Sequence, residues 1–171
     1  MSFLSSFFGI GTDPREDLRP LWHSIVAISR EPGWYARAGV VDNVAGRFDM
    51  IAAVLALALL RMEREEQLAR VTHFLTELFV DDMDGQLREI GIGDLMVGKH
   101  MGKLVGVLGG RLGALRDLER QDDETLERAI KRNVTLGQGV DPALAAASLR
   151  ELARQLDHTP ADDLLAGRIA R

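Results

Sequence analysis

Apolar positions along this 171-residue chain recur at three and four residues nearly throughout, the spacing of one face of an α-helix. "TDPREDLRPLWHSIVAIS" opens with Thr12 or Asp13 as N-cap and Pro14 in the first turn. Leu18, Leu21, Trp22, Ile25 and Ile28 then form one apolar face. Pro32 and Gly33 break that helix, and "REPGWYARAGV" has room for only a short helical turn. Asp42 stands where it can cap the next helix, which carries Arg47, Phe48 and the apolar run "MIAAVLALALL" and ends near Met62. After the charged junction "EREE", one series runs through Leu68, Val71, Leu75, Leu78, Phe79, Met83, Leu87 and Ile90, and Gly91 and Gly93 end it. Asp94 is placed to cap a helix reaching about Leu115. "QDDETLERAIKRNVTLG" has acids in its first turn and bases near its end, which suits the helix dipole. Asp141 as N-cap with Pro142 at the first helical position starts another helix, and Thr159 with Pro160 repeats the device. No stretch alternates with period two. The pattern predicts an all-α, single-domain bundle of about seven helices with short loops, over residues 13–171, preceded by an apolar arm at 1–12.

Composition narrows this picture without redirecting it. Hydrophobic residues make up 46% and charged residues 27%, an ordinary globular balance. The absence of cysteine excludes disulfides, thiolate metal sites and a cysteine nucleophile. A net charge of −5 makes a poor generic nucleic-acid binder, since phosphate neutralisation needs a positive surface. The run at residues 50–60 is too short for a membrane span, which needs roughly 20 residues, and reads as a buried core helix. "MSFLSSFFGIG" has neither the basic n-region of a secretory signal nor the arginines of a mitochondrial transit peptide. Phe3, Leu4, Phe7, Phe8 and Ile10 are expected to pack on the body, with a weak membrane-surface or partner contact as the alternative.

"ELFVDDMDGQLREIG" has the look of an ion site. An EF-hand loop with Gly85 at its sixth position would put Val80 at position one and Gly91 at position twelve, so both end carboxylates are missing. A diphosphate–magnesium motif needs a second acid one turn along, where Gly85 stands. Asp81, Asp82 and Asp84 are therefore read as a solvated helix face, with Arg88 available to pair with Asp84. No metal is expected.

"DLMVGKHMGKLVGVLGGRLGAL" carries glycine at 98, 102, 106, 109, 110 and 113. Each interior glycine costs about 1 kcal/mol relative to alanine, so the cluster needs a reason. Val97, Met101, Leu104, Leu108, Leu112 and Leu115 form the expected core stripe, and the glycines fall in an adjoining arc. Lys99, His100, Lys103 and Arg111 argue against lipid as the neighbour. Two readings are open: a helix of the same chain packs closely on the arc, or a groove there receives a partner segment. Catalysis has little support. His23, His73, His100 and His158 lack metal spacing, and no nucleophile or phosphate-loop motif occurs.

"FVDDMDGQLREIGIGDLMVGKHMGKL" resembles the signature of the ubiquinol–cytochrome c chaperone family, assembly factors for respiratory complex III. The matching residues are Phe79, Asp82-Met83-Asp84, Leu87-Arg88-Glu89, Gly91 to Asp94, and Val97-Gly98-Lys99 with Met101. "WYARAGVVDNVAGRFDM" resembles a second family patch. The resemblance covers about residues 14 to 118, and the last 50 or so residues add nothing to it. Leu108-Gly109 stands where the family has Phe-Tyr, Leu115 replaces an aromatic, and Gly102 and Gly106 replace bulkier residues.

The resemblance implies a non-enzymatic, all-helical protein without cofactor. It implies binding to newly made cytochrome b or another complex III subunit, in a bacterial member working from the cytoplasm, peripherally at the inner membrane. On that basis Phe79, Asp82, Met83, Asp84, Arg88, Asp94, Lys99, Met101, Gly102, Lys103 and Gly106 are expected to form the recognition surface, with Met83 and Met101 as adaptable apolar contacts. Asp42, Arg47, Phe48, Gly91 and Gly98 are expected to be structural. The competing reading is a ligand carrier or enzyme holding haem, quinone or a metal in the bundle core.

Overall fold

The computed structural model describes the backbone of residues 13–89 and 94–169, and side chains over 13–86 and 102–169. The helices are α1 (Pro14–Ser29), α2 (Pro32–Ala36), α3 (Val44–Glu63), α4 (Glu66–Ala69), α5 (Thr72–Glu89), α6 (Asp94–Leu115), α7 (Asp123–Asn133), α8 (Ala143–His158) and α9 (Ala161–Leu165). This is the all-α bundle that the periodicity predicts. Among the described residues the only extended pairing is an isolated antiparallel bridge between Val40 and Leu136.

α3 is the axis of the molecule. Every residue from Met50 to Met62 is buried, so this helix is apolar all round rather than on one stripe. α1, α5, α6 and α8 pack against it, α7 bridges α6 and α8, and α9 lies on α1. Trp22, Phe79 and Phe48 meet on one side of the axis, with ring centroids 6.1 Å apart for Trp22–Phe79 and 6.2 Å for Phe48–Phe79. At the far end Arg61 is buried, and its guanidinium donates to the carbonyls of Leu156 at 3.1 Å and Thr159 at 3.2 Å. A cation at the C-terminus of α8 satisfies carbonyls the helix leaves open.

The caps show where local chemistry was misjudged. Asp13 caps α1 as expected, accepting from the Arg15 amide at 3.0 Å. At α3 the cap is Asn43 rather than Asp42: Asn43 Oδ1 accepts from the Gly46 amide at 2.8 Å, and Asp42 instead pairs with Arg47 at 2.6 Å. Only glycine fits at 46, since a Cβ there would stand 2.0 Å from the Val41 carbonyl oxygen. The boundaries at α8 and α9 slip by one residue, with Pro142 and Pro160 as the N-caps. Asp141 Oδ1 still accepts from the Ala143 amide at 2.9 Å, whereas the Thr159 hydroxyl turns back to Gln155 O at 2.7 Å. The expected single helix through Leu68 and Leu75 is in fact α4 and α5, because Thr72 folds its hydroxyl onto the Ala69 carbonyl at 2.8 Å and restarts the chain.

Candidate functional site

α6 presents two different faces over its described side chains. Leu108, Arg111 and Leu115 are buried, and Leu104 and Leu112 are half-buried against the core. Gly102, Lys103, Val105, Gly106, Gly109, Gly110 and Gly113 are exposed. A Cβ built on Gly102, Gly106, Gly109, Gly110 or Gly113 meets nothing within 4 Å. Of the two open readings, close packing by a neighbouring helix therefore finds no partner at these five glycines among the described residues. They form a strip of bare backbone on the outside of the molecule, with Val105, 47% exposed, beside it. Among the described residues the surface is an open helix face rather than a groove with walls.

The inner face is anchored by a buried ion pair. Arg111 Nη2 donates to the Asp49 carboxylate of α3 and, at 2.6 Å, to the carbonyl of Asn133, the last residue of α7. The second Asp49 oxygen accepts from the Thr135 amide at 2.8 Å and the Thr135 hydroxyl at 2.6 Å. The Phe48 ring lies beneath the guanidinium, 5.9 Å from Cζ to centroid. Burial pushes the Arg111 pKa below its ordinary value, and the Asp49 charge opposes that shift. Charge-assisted bonds to two elements at once fix this side chain strongly. Sequence reading missed the pair, taking Arg111 only as a charge against lipid. The signal was available, because position 111 lies three residues after Leu108 and four before Leu115, inside the stripe.

The aspartates of α5 are divided. Asp81 pairs with Arg15 at 3.1 Å and so ties α5 to the start of α1. Asp82 is exposed and accepts from Gln86 at 3.2 Å, and Asp84 is half-buried. Among the described residues no three metal-ligating side chains converge. Phe79 and Met83 need correcting as recognition contacts: both are core side chains, 0% and 5% exposed, because the apolar stripe of α5 points at α1 and α3. Gly102, Lys103 and Gly106 lie together on the exposed face. Arg88 belongs to α5, and Asp94, Gly98, Lys99 and Met101 to α6, but their side chains lie outside those described. Gly91, Ile92 and Gly93 lie outside the described residues. Phe48 is packed on the core, and Arg47 pairs with Asp42 at the surface. That hydrogen bond holds the Asp42 carboxyl below its ordinary value.

Fold and surface together define an all-α protein whose unusual feature is an outward helix face. The model of the ubiquinol-cytochrome C chaperone family matches residues 36–171, and the chain belongs to that family. It is similar to the crystal structure of the Cbp3 homolog from Brucella abortus, with 32% identity over 91% of this chain and 88% of that one, at a TM-score of 0.77. No curated protein matches the chain. The family match runs to the C-terminus, so α7, α8 and α9 are part of the family domain and not an addition to it, contrary to the expected limit near residue 118.

The family is one of complex III assembly chaperones, which implies a non-enzymatic role. No helix among the described residues is long and apolar enough to cross a membrane.

Proposed function

We propose that this chaperone holds an apolar segment of newly made cytochrome b on the exposed face of α6, at the cytoplasmic surface of the inner membrane, until the segment enters complex III. The observation that carries the reading is the open glycine strip. Five glycines meet no other atom where a side chain would stand, although each weakens its helix. Bare backbone lets another helix approach closely, as small residues do where apolar helices pack. A membrane-protein segment before insertion is such a helix, and Lys103 at the rim gives it a wetted edge.

The test is the pair Gly102→Leu and Gly106→Leu. Both positions face open space, and leucine has the better helix propensity, by most of a kcal/mol per site. The double variant is expected to melt at or above the parent temperature while ubiquinol–cytochrome c reductase activity in cell membranes is lost. A variant that is stable and fully competent for assembly removes the α6 face as the client site.

A further inference from the structure

We infer that the Asp49–Arg111 pair is a positioning device: it sets the rotation and tilt of α6, and so decides which backbone the glycine strip presents. The inference rests on the reading of α6 as the recognition face. It starts from how unevenly α6 is held. Its buried described residues, Leu108, Arg111 and Leu115, all lie in the C-terminal part of the helix. From Gly102 to Val107 no residue is buried. Among the described residues this part is held by Leu104, half-buried on the core, more loosely than the C-terminal part, and a rigid helix carries any change at the buried end outward. Lys103 lies eight residues from Arg111, about 12 Å along the axis, so a tilt of about 15° displaces it roughly 3 Å.

Ridge-into-groove leucine packing leaves the crossing angle a scatter of about 15–20° and cannot narrow it alone. The guanidinium can. Its Nη2 is shared between α3, through Asp49, and the Asn133 carbonyl at the end of α7. Asp49 is itself held by the amide and hydroxyl of Thr135. That segment is tied in turn by the Val41 amide on Thr135 O and the Gly137 amide on Gly39 O, both at 2.9 Å. The chain of bonds runs from the α3 entry loop to α6 without a flexible surface side chain in it. A buried ion pair is a poor source of stability compared with packed hydrocarbon, and its value here is direction.

The chain contains no cysteine, so two can be placed cleanly. Spin labels at Lys103→Cys on α6 and Ser148→Cys on α8, both exposed positions, report the angle of α6 as a distance distribution. The parent pair is expected to give one narrow peak. Arg111→Lys keeps the charge on a shorter side chain without the planar fork, and is expected to move or broaden the peak by several ångströms. Leu108→Ala, a packing loss on the same face, is expected to leave the peak in place. Should Arg111→Lys fail to fold, Asp49→Leu with Arg111→Met keeps the interior filled and is expected to shift the peak in the same way. An unmoved peak in the Arg111 variants, or an equal change in Leu108→Ala, overturns the inference. Complex III activity measured alongside separates the two ideas: a moved peak with intact assembly leaves the positioning role standing and removes α6 as the client face.

Discussion

Arg111 shows how much one residue's role depends on what the fold brings to it. In the sequence it is one more cation on a glycine-rich helix. In the fold its side chain is 6% exposed and faces an Asp49 side chain 15% exposed. Arg111→Met alone leaves Asp49 buried without its partner and should cost roughly 3–5 kcal/mol in urea unfolding. Asp49→Leu combined with Arg111→Met should recover part of that loss, since it removes the unpaired charge but leaves the Thr135 amide and the Asn133 carbonyl without these partners. A single variant that unfolds at the parent midpoint would mean that water reaches the pair. Asp81 makes the opposite point. Its neighbours in sequence suggest an ion, but its partner is Arg15, far away along the chain. Calcium at micromolar concentration should leave the melting temperature unchanged, and a rise of several degrees would show specific binding to the native state.

At the scale of elements, the same substitution should have opposite signs on two helices. Gly46 of α3 has a carbonyl oxygen where a methyl would go, so Gly46→Ala should destabilise by about 1–3 kcal/mol despite alanine's better propensity. Gly109 and Gly113 of α6 face open space, so alanine at each should stabilise by roughly 0.5–1 kcal/mol. Thermal melts of the three single variants decide this, and destabilisation at Gly109 or Gly113 would mean that the strip is covered within the chain. α7 gives a pH dependence. The Thr125 amide and hydroxyl hold the Asp122 carboxyl below its ordinary 3.8. A depressed carboxylate stabilises above its unfolded value, so this contribution is complete above about pH 4 and fades as the pH falls through the lower folded value. Acid unfolding of the parent and of Asp122→Asn should differ above about pH 4 and converge as the pH falls through the lower folded value.

Most elements were legible because period and punctuation agree: Asp13 with Pro14, the gap at Pro32, the end of α6 at Leu115. Adjacent capping residues were not. Asp42 and Asn43 are chemically equivalent candidates, and only the backbone angle shows which oxygen reaches the Gly46 amide. Nor could periodicity tell a contact stripe from a core stripe. Phe79 and Met83 carry the family motif and yet lie in the core, so a motif can persist for packing.

For the whole molecule, the fold explains why α3 can be apolar all round and why the C-terminal helices belong to the domain. α8 packs on α3, with Arg61 locking its end to it, while α7 joins α8 to α6 and α9 lies on α1. The glycine strip was visible as an anomaly in the sequence, but its direction was not. Six glycines on one helix fit a tight internal contact as well as an open surface, and for five of them only the absence of neighbours among the described residues separates the two. The central claim is that this open face holds cytochrome b. Site-specific photo-crosslinking in respiring cells tests it most directly. A benzoylphenylalanine at Val105, beside the strip, is compared with one at Ser148 on α8. The account predicts a crosslink from position 105 to a membrane-spanning segment of cytochrome b, and none from position 148. Crosslinks to cytochrome b from position 148 alone would contradict it.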